Sequence, residues 1–200
     1  MLPNSRLLKT NFIKERITFM QQFFKLKFII MSLLTSIFMS ACSTSEPKPD
    51  FTDTKHILNI RDFFSETASG SGVFFDYSDK AYRHFYVTFK GQEKGQDFYL
   101  TEDFTWSDGE KQQRIWHLVF QDDKNFTGTA DDVVGTAKGK LLNNSLHMLY
   151  TLRVKRENGD EIDLNMDDRM YLTQENVIIN RAKAKKYGFT VGELVATFSK

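Results

Sequence analysis

SLHMLYTLRVKRENGDEIDLNMDD, residues 145–168, reads as two strands around a tight turn. Leu146, Met148, Tyr150, Leu152 and Val154 recur at every second position, the period of a half-buried strand. Asn158-Gly159-Asp160 is the strongest hairpin signal in the chain, because these residue types accept the positive φ that two-residue turns demand. EIDLNMDD then continues as the next strand.

The same pattern spreads in both directions. In AYRHFYVTFKG (81–91), Phe85, Val87 and Phe89 alternate with His84, Tyr86 and Thr88. DFYLTEDFTW (97–106) puts Phe98, Leu100, Phe104 and Trp106 on one face, with Glu102 among them. Ser107-Asp108-Gly109 is a turn, and RIWHLVF (114–120) follows it. NFTGTADD and VGTAKGKLL read as shorter, glycine-bearing strands, and RMYLTQEN, VIINRAKAKK and GELVATFSK complete the series. About ten strands with tight connections point to an all-β domain. Sequential neighbours pair antiparallel, so the chain order favours an up-and-down meander, and closing it removes exposed edges. The expectation is a calycin- or lipocalin-like barrel; an open, bent sheet wrapping a helix is the alternative. The one helical stretch is TKHILNIRDFFSE (54–66), with Thr54 as its cap and Ile57, Ile60, Phe63 and Phe64 as its apolar stripe.

The first 41 residues differ in kind. They hold six basic residues and one acid, which leaves 21 basic and 25 acidic residues in the remainder, a net charge of about −4. A mildly acidic body lacks the basic stripe of a nucleic-acid binder, so no nucleic-acid partner is expected. Nineteen Phe and 14% aromatics argue for a packed core rather than disorder. The chain has one cysteine, so no internal disulfide framework is available.

That cysteine has a telling position. Lys25 and Lys27 precede an uncharged run, Phe28–Ala41, which is short for a membrane span. Basic residues, a short apolar run and small residues together describe a secretory signal. Met39-Ser40-Ala41-Cys42 resembles a bacterial lipobox, which implies cleavage before Cys42 and lipidation of its sulfur. Residues 1–41 are then a signal peptide, with Met20 as an alternative start that makes 1–19 an extension. Ser43 as second mature residue favours the outer membrane, facing the periplasm, by resemblance to Gram-negative sorting signals. STSEPKPDFTD (43–53) reads as a linker holding the body off the bilayer, and 54–200 as the barrel domain. The membrane, through Cys42, is the partner expected; the sequence names no protein partner.

EDFTWSDGE (102–110), RIW (114–116), GTADDVVGTAKG (128–139), DDRMYL (167–172) and INRAKAKKYGFTVGE (179–193) resemble, in this order, a family of proteobacterial lipoproteins catalogued as domain of unknown function 3833. The resemblance implies a lipidated envelope protein with a β-rich body and no known reaction. Its association with genes for fatty-acid or membrane-lipid modification leans toward lipid. SGSGVFF (69–75) departs from the aromatic-Gly pattern of that family.

Chemistry is sparse. Glu102, Arg114, Asn180 and Arg181 are polar residues inside strands, and the turn at 107–109 brings Glu102 toward Arg114. They are the candidate polar contacts for a ligand in an otherwise apolar barrel; the bland reading is a cross-strand ion pair or polar rim. The acid pairs Asp131-Asp132 and Asp167-Asp168 both read as turn-adjacent. His56, His84, His117 and His147 lack zinc-site spacing. No nucleophile elbow or phosphate loop is present. The expectation is therefore no catalytic residue, no metal and no cofactor, with RAKAKK (181–186) a solvated strand face or, alternatively, a contact for anionic headgroups beside the anchor.

Three functions follow. A binding module for an apolar ligand such as a fatty acyl lipid needs a cavity of about 300 Å³ or more. A non-catalytic interaction lipoprotein has a filled barrel and an exposed apolar patch. An enzyme has carboxylates converging with shifted pKa values.

Overall fold

The computed structural model describes residues 45–49, 55–156 and 158–200. Cys42, the signal segment and Thr54 lie outside the described residues. Among the described residues, ten strands follow one helix: α1 Ile60–Ser65, β1 Ala68–Asp76, β2 Ala81–Lys94, β3 Asp97–Trp106, β4 Lys111–Phe120, β5 Asn125–Thr129, β6 Val133–Leu142, β7 Ser145–Lys155, β8 Glu161–Gln174, β9 Val177–Lys186 and β10 Phe189–Ser199. Each strand pairs antiparallel with its sequence neighbours, and β1 pairs with β10 from Ser69↔Ser199 to Asp76↔Gly192. The meander thus closes into a barrel, as the alternation predicts.

The count of ten agrees with the sequence reading through two differences that offset each other. EIDLNMDD and RMYLTQEN form a single strand, β8, so Asp167 and Asp168 sit mid-strand and not beside a turn. The physical reason is a continuous inward register: Met166, Asp168 and Leu172 are all buried. The added strand is β1. Its ASGSG start shows no apolar alternation because neighbouring rings occupy the space its side chains would take. A Cβ on Gly72 would lie 2.6 Å from the Phe85 ring.

Inward positions build the core. Phe85, Val87 and Phe89 of β2, Phe98 and Leu100 of β3, Trp116 and Leu118 of β4 and Phe198 of β10 are all buried. Their rings meet edge-on or tilted, as in Phe89–Phe198 at 4.7 Å and Phe85–Phe104 at 5.4 Å. Each such pair contributes about 0.5–1.5 kcal/mol beyond its buried area. At the β7–β8 hairpin Gly159 has φ +87, the left-handed conformation its turn requires.

α1 caps one end of the barrel. It is shorter than the 54–66 stretch, and its cap is Asn59, whose side chain accepts hydrogen bonds from the Arg61 and Asp62 N–H groups at 3.1 and 3.4 Å. Such a cap stabilises a helix by about 1 kcal/mol. Ile57 falls outside the helix and is 75% exposed, so the buried stripe is Ile60, Phe63 and Phe64. Hydrogen bonds fasten this segment to the connections at that end: Leu58 N–H to Asn143 O at 2.8 Å, and Arg61 to Gln96 O at 2.8 Å. Lys200 Nζ donates to Asp62 O at 3.1 Å. The other end, ringed by the β1–β2, β3–β4, β5–β6, β7–β8 and β9–β10 turns, carries no such helix among the described residues.

The linker reading needs correction for the part that is described. Glu46–Pro49 lies along the outer wall, with Pro47 buried. Lys48 N–H donates to His147 Nδ1 at 2.6 Å, Lys48 O accepts from Arg169 at 3.3 Å, and Glu46 pairs with Lys138 at 2.5 Å. Residues Glu46–Lys200 form one compact unit that, among the described residues, contains the whole core and leaves no open sheet edge, which is what independent folding requires.

Gly91 sets how close α1 comes. A Cβ there would lie 2.3 Å from the Phe64 carbonyl oxygen and 2.4 Å from the Phe98 ring. Gly91→Ala should therefore displace α1 and cost about 1–3 kcal/mol in urea denaturation. A midpoint unchanged from wild type would show that α1 is not seated as described.

Candidate functional site

Inside the barrel, apolar alternation is interrupted by one connected polar cluster. Glu102 of β3 lies directly opposite Arg114 of β4, as the turn at 107–109 predicts, with Arg114 Nη1 3.4 Å from Glu102 Oε2. Arg114 grips a second carboxylate more tightly. Its Nε is 3.0 Å from both Asp132 oxygens, and its Nη2 is 2.7 Å from Oδ2. A two-pronged guanidinium–carboxylate contact of this kind is among the stronger protein hydrogen-bonding arrangements. Asp132 sits in the β5–β6 turn, held there by Val133 N–H to Ala130 O at 3.0 Å and Arg153 N–H to Asp132 O at 2.8 Å.

Asp168 of β8 completes the cluster from across the barrel. It accepts from Asn180 Nδ2 of β9 at 2.6 Å and from the Tyr150 hydroxyl of β7 at 3.3 Å. Tyr150 packs edge-on against Trp116, ring centres 5.3 Å apart. The cluster holds one guanidinium and three carboxyl groups, and burial governs its electrostatics. Burial pushes Glu102 up to about 7, against the pull of Arg114. Burial likewise pushes Asp168 up to about 6, against the hydrogen bonds from Asn180 and Tyr150. The Tyr150 hydroxyl is raised well above its ordinary value by burial and then by Asp168. For Arg114, burial opposes the charge, but Glu102 and Asp132 more than offset it and hold the guanidinium protonated.

The cluster forms one wall of a cavity of about 60 Å³. Phe98, Leu118, Phe126 and Met148 form the apolar wall, and Ile60 and Phe64 of α1 its floor. This is far below the roughly 300 Å³ expected of a carrier. The aromatic side chains that the composition promises fill the barrel rather than line a void.

Of the four candidate residues, the fold brings Glu102, Arg114 and Asn180 into the cluster and sends Arg181 elsewhere. Arg181 points outward and pairs with Glu193 at 2.6 and 3.1 Å. Consecutive strand residues face opposite sides, so Asn180 and Arg181 cannot share an interior. Asp132, Tyr150 and Asp168 were missed. For Tyr150 and Asp168 the signal was present, since each continues an apolar every-second-residue series. Asp132 enters from a turn, where period two gives no guidance. His147 and Asp167 make a 2.9 Å contact on the outer wall. Because Lys48 N–H donates to Nδ1, the ring accepts there and gives its Nε2 proton to Asp167. The pair fastens the Glu46–Pro49 segment.

Comparison with known proteins agrees with this picture. The sequence profile of the family described as "Protein of unknown function (DUF3833)" matches residues 36–200, and the chain belongs to that family. No curated protein matches it. Among solved structures, the S-type phycobiliprotein lyase CPES from Guillardia theta is similar, with a TM-score of 0.51 and 4% identity. The match covers 72% of this chain and 93% of that one. At such low identity the likeness shows the fold alone, a lipocalin-like barrel.

The raised carboxyl pKa values set a pH dependence. The folded protein keeps protons on Glu102 and Asp168 that the unfolded chain releases above their ordinary values of 4.5 and 3.8. Stability from these groups is therefore fully present below about pH 4 and is lost progressively as pH rises through 6 and 7. The melting temperature should drop by several degrees between pH 5 and pH 8. Glu102→Gln, which mimics the protonated acid, should melt above wild type at pH 8 and close to it at pH 5. A flat wild-type profile over this range would contradict the cluster's electrostatics.

Proposed function

We propose that this member of the DUF3833 family is an envelope lipoprotein, anchored through Cys42, whose barrel binds a small apolar ligand with a neutral or hydrogen-donating polar end. The lipobox resemblance supports the anchor, and the family match begins at residue 36, so Cys42 falls within the matched region. Ser43 supports placement at the outer membrane, facing the periplasm.

The observation that carries the ligand reading is an amphiphilic interior. An apolar cavity ends on a cluster whose carboxyl groups outnumber its single cation. Buried charge of this kind costs stability relative to an apolar core, and carboxyl groups with shifted pKa values beside a cavity support a binding-site reading. The charge imbalance also selects. A free carboxylate would bring a further anion into the same burial that already raises Glu102 and Asp168. An alcohol, amide or amine would instead donate to carboxyl oxygens already in place. Among acyl lipids this favours neutral derivatives over free fatty acids.

Size imposes a second condition. A cavity of about 60 Å³ has room for only about two waters' share of liquid volume. A longer ligand needs α1 to move, because α1 contributes Ile60 and Phe64 to the cavity; the hydrogen bonds of Leu58 and Arg61 at that end would have to open.

A second reading, an interaction lipoprotein without a ligand, draws on the filled core and on Tyr77, Tyr82, Tyr187 and Phe189, which stand exposed at the turn end.

Native mass spectrometry of the protein from its host envelope, with octanol, octylamine and octanoate titrated afterwards, separates the two. The ligand reading expects a copurifying apolar molecule and binding of octanol or octylamine in preference to octanoate. Phe64→Ala removes a ring from the cavity floor and should tighten octanol binding about ten-fold. An empty barrel that takes none of the three probes, in wild type and Phe64→Ala alike, would leave the interaction reading standing.

A further inference from the structure

The outer wall of β8 and β9 carries a concentration of positive charge that the interior site does not use. Arg169 and Arg181 lie directly opposite each other, and Lys183 faces Asp167. Like charges in directly opposed strand positions destabilise a sheet. Here they are kept, and with Lys185, Tyr171 and Thr190 they line a groove of about 280 Å³. Two acids temper the wall: Asp167 accepts from Lys185 at 2.7 Å and Arg169 at 3.1 Å, and Glu193 from Arg181. Four cations against two carboxylates leave a surplus of two positive charges on a barrel whose body is net negative.

The same strands end in an exposed aromatic tip. The β9–β10 turn presents Tyr187, 87% exposed, and Phe189, 77% exposed, next to Lys186. β1 pairs with β10, so the adjacent β1–β2 hairpin adds Tyr77 at 82%. Basic residues beside exposed aromatic rings match the chemistry of a membrane interface, where rings sit at headgroup level and cations meet lipid phosphates.

Chain length gives the orientation. The Glu46–Pro49 segment is fastened across β6, β7 and β8 at Lys138, His147 and Arg169. Cys42 lies four residues before Glu46, a reach of at most about 14 Å whatever course those residues take. An acyl anchor on Cys42 therefore keeps this side of the barrel within roughly one to two Debye lengths of the bilayer.

We infer that the β8–β9 wall and the β9–β10 tip dock the barrel on an anionic lipid surface, with phosphate headgroups in the groove and Tyr187 and Phe189 in the interface. The inference rests on lipidation of Cys42, but its test does not. The Glu46–Lys200 unit, which lacks Cys42, is sedimented with vesicles of equal phosphatidylglycerol and phosphatidylcholine, and with phosphatidylcholine alone. Binding is expected only with the anionic vesicles, and it should weaken about ten-fold or more between 50 and 300 mM salt. Each charge near an anionic surface is worth about five-fold in affinity, so Lys183→Glu should weaken binding about 25-fold. Phe189→Ser should weaken it as well. Both side chains lie outside the core, and cooperative melting well above the assay temperature will confirm that the variants fold. Absent binding, equal binding to neutral vesicles, indifference to Lys183→Glu, or displacement by millimolar inorganic phosphate would each overturn the docking wall. The mass of Cys42 in the full chain from its envelope, read separately, decides the anchor alone.

Discussion

Arg114 cannot give up its charge, and its side chain lies inside the barrel. Everything around it answers that constraint. Asp132 meets it with two oxygens from a turn, Glu102 from the facing strand, and Phe104 and Trp116 lie about 6 Å from its guanidinium carbon. The contact also pins structure. Glu102 and Arg114 are opposed in the β3–β4 ladder, and a one-residue slip of either strand would turn one of them outward. The other would be left buried and unpaired, at a cost of several kcal/mol. One ion pair thus specifies register for two strands, and the position of a third connection follows through Asp132.

The two barrel ends differ because of what covers them. At one end α1 inserts Phe64 against Phe89, ring centres 4.9 Å apart, and glycine at position 91 lets the helix backbone approach. At the other, hairpin turns leave aromatic side chains in solvent. The acid-rich cluster lies between them with little free volume. Its surplus carboxyl groups must share or hold protons near neutral pH, so the interior presents hydrogen-bond donors and acceptors together. That combination suits a neutral polar end better than an anion, and it ties ligand preference to the same burial that sets the pH response.

Much of this was legible in the sequence because closure makes period two a global rule. Phe85, Val87 and Phe89 read correctly as one face, and so did the placement of Glu102 on the apolar side of β3. The Glu102–Arg114 pair was legible because a three-residue turn signal fixes which residues oppose each other. Arg181 was assigned to the interior beside Asn180, which alternation itself forbids. β1 was not legible as a strand, since Gly70 and Gly72 are small to make room for the rings of Phe198 on the last strand and Phe85 on the next. Asp168 was obscured when β8 was divided at its acid pair. The helix start could not be read from the apolar stripe, because Asn59 competes with Thr54 as a cap and only tertiary contacts of Leu58 and Ile60 decide between them. Cavity size depends on how α1 and the aromatic side chains interlock, which no local pattern encodes.

The central claim is that a carboxyl-rich cluster around Arg114 is buried inside the barrel, with Asp132 at its rim. Glu102 reports on it most directly through the carboxyl carbon resonance of the labelled residue, followed by NMR across pH 3–9. A midpoint near 7 is the result this account predicts. A midpoint near the ordinary glutamate value of 4.5 would mean that water reaches the cluster and that the interior described above is not closed.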